Sequence, residues 1–259
     1  MSVVRELWGR EVDGRQCRPW TCPTCSAGVL YLDQDTFRHF PTAATRQLEE
    51  KDPEMEEARF TAFLVCGAFG CQERVVAHGR VVWRQGYDPM LRGEAWSETL
   101  LFEGVHPAPL IIPVPDGCPA SVRAAVVASC EMFWSDPESC TNKIRIAIEN
   151  ALDARKVKRF VVNTKGKKDE IKLHNRIDHH FRPKHPDLAD LLLAAKWLGN
   201  SGAHGHALTW DDCLDGFDLL GAVFAELYEK KSKKLAALAQ QINKRKGPRR
   251  RRGRSSDRS

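Results

Sequence analysis

Two close cysteine pairs, Cys22-Pro-Thr-Cys25 and Cys66-Gly-Ala-Phe-Gly-Cys71, carry the clearest chemistry in this chain. Each pair offers two thiolates from one tight turn, and two such turns brought together make the tetrahedral sulfur shell that suits Zn2+. A closed four-sulfur shell leaves no position for water, so the expected ion is structural and does not activate a nucleophile. The rival for Cys22-Pro-Thr-Cys25 is a thioredoxin-like redox pair, which should open a helix after a strand. Here a β-prone segment, Ser26 to Asp33, follows instead, and a second pair exists. Cys17, Cys118, Cys130, Cys140 and Cys213 show no pairing logic. Cys130 and Cys213 sit in apolar helical sequence and read as small buried hydrophobes. Nine cysteines, four of them claimed by the two turns, favour a reducing, cytoplasmic setting over a disulfide framework.

A second centre is Trp197-Leu-Gly-Asn-Ser-Gly-Ala-His204-Gly. Gly199 and Gly202 admit left-handed backbone, Asn200 is placed to cap a helix end, and His204 stands just past the turn. Two readings stay open. Asn200 and His204 satisfy backbone groups at a helix–helix corner, or the imidazole is set for acid–base chemistry or ligand contact.

The third centre is a charge run. Residues Lys244 to Ser259 hold nine Lys or Arg and one Asp, a net +8 against +6 for the whole chain, so residues 1–243 carry −2. Lys244, Arg245, Lys246, Arg249, Arg250, Arg251, Arg252 and Arg254 suit non-specific, salt-sensitive attachment to nucleic-acid phosphates. A solvated, solubilising terminus is the bland alternative.

These groups need elements to hold them. Arg59 to Val65 leads into the second cysteine turn, and Gln72 to Trp83 leaves it with apolar residues alternating against charge. Strand, turn, strand is a zinc-ribbon arrangement, predicted over residues 1–104, with Pro41 to Glu57 as an inserted loop or short helix. His39 and His78 read either as substitute ligands or, more commonly for lone histidines on polar segments, as plain surface residues. Arg74, Arg80, Trp83 and Arg84 offer either a partner-facing strand or a solvated one. Five prolines between Val105 and Pro119 predict an extended linker over residues 105–119.

Helical periodicity takes over at residues 120–243. The runs are Ala120 to Trp134, Pro137 to about Lys156, Glu170 to His180, Pro186 to Asn200, and Thr209 to about Gln241, with Phe160 to Lys168 as a connection. Ile144, Ile148, Ala151 and Leu152 share one stripe, and Arg145 and Glu149 stand one turn apart. The expected fold class is α+β: an N-terminal β-rich zinc ribbon, an all-α antiparallel helical bundle, and a disordered basic tail over residues 244–259. On this division, metal removal unfolds the N-terminal part and spares the helices. The longest apolar runs, such as Ala124 to Ala128, fall far short of a membrane span, so no membrane partner is expected.

Ile144-Arg-Ile-Ala-Ile-Glu149, followed by Leu198-Gly-Asn-Ser-Gly-Ala-His204 and by Thr209-Trp-Asp-Asp, resembles the bacterial family called domain of unknown function 4145. The resemblance covers about residues 105 to 235. It implies a HEPN-like bundle, often preceded by a zinc-ribbon-like segment and often found with restriction and anti-phage defence components. Catalytic HEPN ribonucleases carry an Arg four to six residues before the His. Here His204 matches the motif histidine and Asn200 its polar neighbour, whereas the arginine position is unmatched and Lys196 is a poor substitute. The expected function is therefore a non-catalytic accessory protein that binds nucleic acid, a nuclease or another defence protein. A metal-independent ribonuclease using His204 and a dimerising structural adaptor, with the chain as a homodimer, are the alternatives.

Overall fold

The protein, seen in a computed structural model, is described here for residues 2–50, 52–88, 90, 92–201, 207–229 and 231–247. It is a mixed α/β molecule with a strand-rich N-terminal part and a helix-rich C-terminal part. Six strands form one antiparallel sheet: β1 (Glu11–Asp13), β2 (Leu30–Leu32), β3 (Arg38–Pro41), β4 (Glu57–Cys66), β5 (Arg74–Asp88) and β6 (Gly93–His106). Their order is β1-β6-β5-β4-β2, and β3 also pairs with β4.

Strand β4 shows why the sequence folds this way. Successive side chains point to opposite faces, so Ala58, Phe60, Ala62, Leu64 and Cys66 all face the core while Arg59, Thr61 and Phe63 face out. The same alternation places Cys66 inward at the strand's end. Between β3 and β4, the short helix α1 (Ala43–Arg46) lies within the segment expected to be a loop or short helix.

Helices follow: α2 (Ala120–Met132), α3 (Pro137–Ala154), α4 (Leu173–Asn175), α5 (Pro186–Ser201), α6 (Trp210–Phe224) and α7 (Lys231–Arg245). Helix α3 is the hub, packed against α2, α5 and α6 through Ile144, Ala147, Ile148, Ala151 and Leu152. Its N-terminus is capped by Asp136, whose carboxylate accepts from the amides of Glu138 and Ser139, with Pro137 at the first helical position. Thr209 and Asp212 form a reciprocal capping box at the start of α6.

Several boundaries differ from the sequence expectation, each for a local reason. Phe160 to Lys168 is not a plain connection. It forms a hairpin of β7 (Phe160–Val162) and β8 (Lys168–Glu170), turned by Gly166 at positive φ and by the Asn163 side-chain oxygen Oδ1, which accepts from the amides of Lys165 and Lys167. Glu170 therefore belongs to a strand, and helical backbone begins only at Leu173, continuing as a wide π-type coil over Arg176–Phe181. The last helical run is interrupted by a second such coil at Ala225–Glu229 before α7. Helix α7 reaches Arg245, so Lys244 and Arg245 are helical. Good helix formers precede them, and cations suit a helix C-terminus.

The stretch 105–119 is buried at Val105, Ala108, Ile111, Ile112 and Cys118. Its prolines shape a strap packed on the core, and one continuous apolar core joins sheet and helices. At the seam Trp20 meets Trp134 edge-on at 4.8 Å and Phe102 at 5.1 Å, while Phe133 stands 5.4 Å from Trp134. The indole N–H of Trp20 donates to Leu7 O at 2.6 Å, and that of Trp210 donates to Phe133 O at 2.8 Å. Aromatic edge-to-face contacts add to the area they bury.

Candidate functional site

The register of the sheet assembles the cysteine centre. β2 pairs with β4 so that Leu30 stands opposite Cys66, which carries the turn before β2 onto the end of β4. All four sulfurs of Cys22, Cys25, Cys66 and Cys71 lie within 4.8 Å of one another. Cys22 Sγ is 3.9 Å from Cys71 Sγ, and Cys25 Sγ is 3.7 Å from Cys66 Sγ. A tetrahedron of Zn–S bonds has sulfur–sulfur edges of about 3.8 Å, so the donor set fits such an ion.

The two turns are built alike. The residue after each second cysteine, Ser26 (φ 54°) and Gln72 (φ 50°), is left-handed and reverses the chain. Gly28 N donates to Cys25 Sγ at 3.3 Å, and Ala68 N donates to Cys66 Sγ at 3.4 Å. The Thr24 hydroxyl donates to Glu73 at 2.6 Å and ties one turn to the other. Backbone amides near Ala27 and Gly28 pull the Cys25 thiol down to about 6. At Cys66 the Ala68 amide also pulls the thiol down, but desolvation and the neighbouring sulfurs outweigh it and push that thiol up to about 12. Sulfurs this close cannot all ionise without a cation among them, and a divalent ion would supply it.

Of the remaining cysteines, Cys130 and Cys213 are buried, as expected of small hydrophobes, and so are Cys118 and Cys140. His39 and His78 lie on β3 and β5 and are not part of the sulfur group.

The second site lies in the helical half. A cleft of about 550 Å³ is floored by α3 and α5 and walled by the β7–β8 hairpin and the segment after it. Arg145, Lys196 and Asn200 line its floor, and Lys172 and His174 line its wall. Helix α5 runs straight through Gly199 and Asn200 to Ser201, so neither residue caps it and Gly199 is not left-handed. The glycine serves proximity instead. A Cβ there would stand 2.9 Å from Thr141 O and 3.0 Å from Arg145 Cβ, inside normal contact. Only a bare α-carbon lets α5 lie this close to α3. That contact sets Arg145 on the same cleft as Asn200, a neighbourhood separated by more than fifty positions in sequence.

Pairing in the cleft is incomplete. Arg145 bonds Glu149 at 3.2 Å, Arg159 bonds Glu170 at 3.0 Å, and Arg176 bonds Asp153 at 2.5 Å. Lys196 is 5% exposed, and among the described residues no carboxylate pairs with it. Its ammonium sits 3.0 Å from the centroid of the Trp197 ring. Burial lowers the pKa of Lys196, and the charge of Arg145 lowers it further. In sequence, Lys196 has the look of an ordinary helix-surface lysine, yet the folded chain buries it.

His204 falls outside the described residues, as do Arg249, Arg250, Arg251, Arg252 and Arg254. Lys244 and Arg245 close α7, and Lys246 follows at positive φ. Arg80 and Arg74 are engaged with Glu57, Glu103 and Asp33 on the outer sheet face. No helix among the described residues is long and apolar enough to cross a membrane.

Residues 128–245 match the model of the family described as Domain of unknown function (DUF4145), and residues 11–99 match that of Domain of unknown function (DUF8608). The two matches fall on the helical and the strand-rich parts, either side of the segment that joins them. No curated protein and no solved structure matches the chain.

Proposed function

We propose that this chain, which carries a region of the domain of unknown function 4145 family at residues 128–245, is a non-catalytic accessory protein that binds nucleic acid through its basic C-terminal end. In this reading a nuclease or other defence protein is its partner, prokaryotic defence or restriction its setting, and the cytoplasm its location. The four cysteines hold one structural Zn2+ in a ribbon-like platform, the helical half is a HEPN-like bundle, and the chain pairs as a homodimer.

The observation that carries the reading is the charge of the C-terminal end. Residues 231–247 contain six Lys or Arg and no acid, and they lead directly into the run from Arg249 to Arg254. A helix that ends in cations and feeds an arginine segment presents a line of positive charge to a phosphate backbone. Fluorescence anisotropy with generic RNA and DNA, comparing the full chain with a truncation before Lys244, is the test. The truncation should weaken binding about tenfold or more at low salt and flatten its salt dependence. Equal affinity removes the tail from the function.

One observation favours a second reading, a metal-independent ribonuclease. Arg145, packed against Gly199 and lining the cleft with Asn200, supplies from another helix the arginine that the sequence before His204 lacks. RNA incubated in EDTA with the wild type and with Arg145→Ala and His204→Ala decides it. Metal-independent cleavage lost in both variants makes the chain an enzyme.

A further inference from the structure

We infer that the cleft between α3, α5 and the β7–β8 hairpin is a binding site for a phosphate group, held by Lys196 from the floor and Lys172 from the rim. The inference does not depend on the tail, nor on any cleavage step.

The argument starts from the cost of Lys196. An ammonium taken out of water without a counter-charge is among the more expensive things a fold can contain. Here it is 5% exposed and shares the floor of the cleft with a second cation, Arg145. The Trp197 ring, 3.0 Å away, offers it a polarisable face but no negative charge. Nearby carboxylates are committed elsewhere. Glu149 bonds Arg145, Glu170 bonds Arg159, and Asp153 is shared by Arg159 and Arg176. Even the guanidinium groups are incompletely used: the Nε atoms of Arg145 and Arg176 are buried and have no hydrogen-bond partner. Lys172, on the exposed rim, also lacks a carboxylate among the described residues, and His174 beside it adds a third nitrogen group.

Among the described residues the cations lining the cleft, Arg145, Arg159, Lys172, Arg176 and Lys196, outnumber its two carboxylates, Glu149 and Glu170, and the donors define the kind of anion that would balance them. Two ammonium groups, one on the floor and one on the rim, with no carboxylate paired to either among the described residues, suit a compact oxyanion carrying about two negative charges better than a carboxylate, which a single planar arginine fork would hold. The volume of about 550 Å³ exceeds that of a lone phosphate and leaves room for the group that bears it. A free nucleotide and the terminal phosphate of a nucleic-acid strand share this chemistry.

The test is thermal denaturation of the full chain in sodium phosphate against sodium chloride of equal ionic strength. Phosphate at saturation should raise the wild-type Tm by about 2–4 °C beyond chloride. Lys196→Met removes the buried charge while keeping the stem's volume. It should melt no lower than wild type in chloride and bind phosphate at least about tenfold more weakly. Lys172→Glu, at an exposed position where folding is not at stake, should abolish most of the phosphate response. The absence of a phosphate-specific shift in wild type, or an equal shift in wild type and either variant, overturns the proposal. AMP against adenosine, and a 5′-phosphorylated against an unphosphorylated dinucleotide, then identify the source. A larger gap in the first pair marks a free nucleotide, and a larger gap in the second marks a strand end. Phosphate-independent responses in both pairs overturn the site. Failure of the tail truncation to alter nucleic-acid affinity leaves all of these outcomes unchanged, so the two readings stand or fall separately.

Discussion

Gly28 shows how little room the cysteine centre has. A Cβ there would overlap Cys66 Sγ and stand 2.7 Å from Ala68 Cβ and 2.9 Å from Ala68 N. The same residue donates its amide to Cys25 Sγ, so one position sets both the spacing of the two turns and the charge of one ligand. Gly28→Ala should destabilise the protein by about 2–3 kcal/mol and loosen the metal. Thermal melting and metal content after dialysis against a chelator measure the two effects, and wild-type retention of metal refutes the account. The cysteine spacing alone pointed to these four ligands. It did not point to Ser26 and Gln72, the left-handed residues that reverse each turn, because neither is the glycine usually sought there. Lys196 was harder still. A lysine on an amphipathic helix reads as exposed, and only the folded chain decides otherwise.

Helix α3 organises the C-terminal half, and its start is secured by Asp136. The Ser139 hydroxyl, at 2.5 Å, does most to hold the Asp136 carboxyl below its ordinary pKa, with the Ser139 and Glu138 amides adding to it. A carboxylate whose folded pKa is depressed contributes stability that is complete above its unfolded pKa, near 4, and is lost as pH falls through the lower folded value. Asp136→Ala should therefore cost about 1 kcal/mol at pH 7. The gap between variant and wild type should narrow steadily below pH 4. A gap of constant size across that range, in denaturant titrations at a series of pH values, would show that the carboxylate's charge is irrelevant. The apolar stripe of α3 is a local pattern, which is why it was legible, whereas the Asp136 cap came to light only in the structure. The β7–β8 hairpin was not legible either, since three-residue strands of exposed residues carry no burial period to read.

Sheet and helices share one apolar core, closed by Trp8, Trp20, Phe102, Phe133 and Trp134. Cys22 and Cys66 are themselves members of that core. Sequence punctuation suggests two parts that fail separately on metal removal; the shared core leads to a different expectation. Chelation should lower one cooperative transition, with far-UV helical signal and tryptophan fluorescence falling together. Trp20→Ala should lower the same transition, costing about 3–5 kcal/mol, because it opens the seam from the sheet side. Helical signal that survives the loss of tryptophan fluorescence would restore the two-part description.

Identity and spacing were enough for the four-cysteine group, the helical stripe and the strand alternation of β5, since each is written within a few consecutive positions. The order of the sheet, the burial of the proline-rich strap and the meeting of Arg145 with Lys196 and Asn200 rest on contacts between distant segments. No local pattern encodes them. They follow from which faces must leave water together, and for the cleft from one glycine that lets two helices close to van der Waals contact.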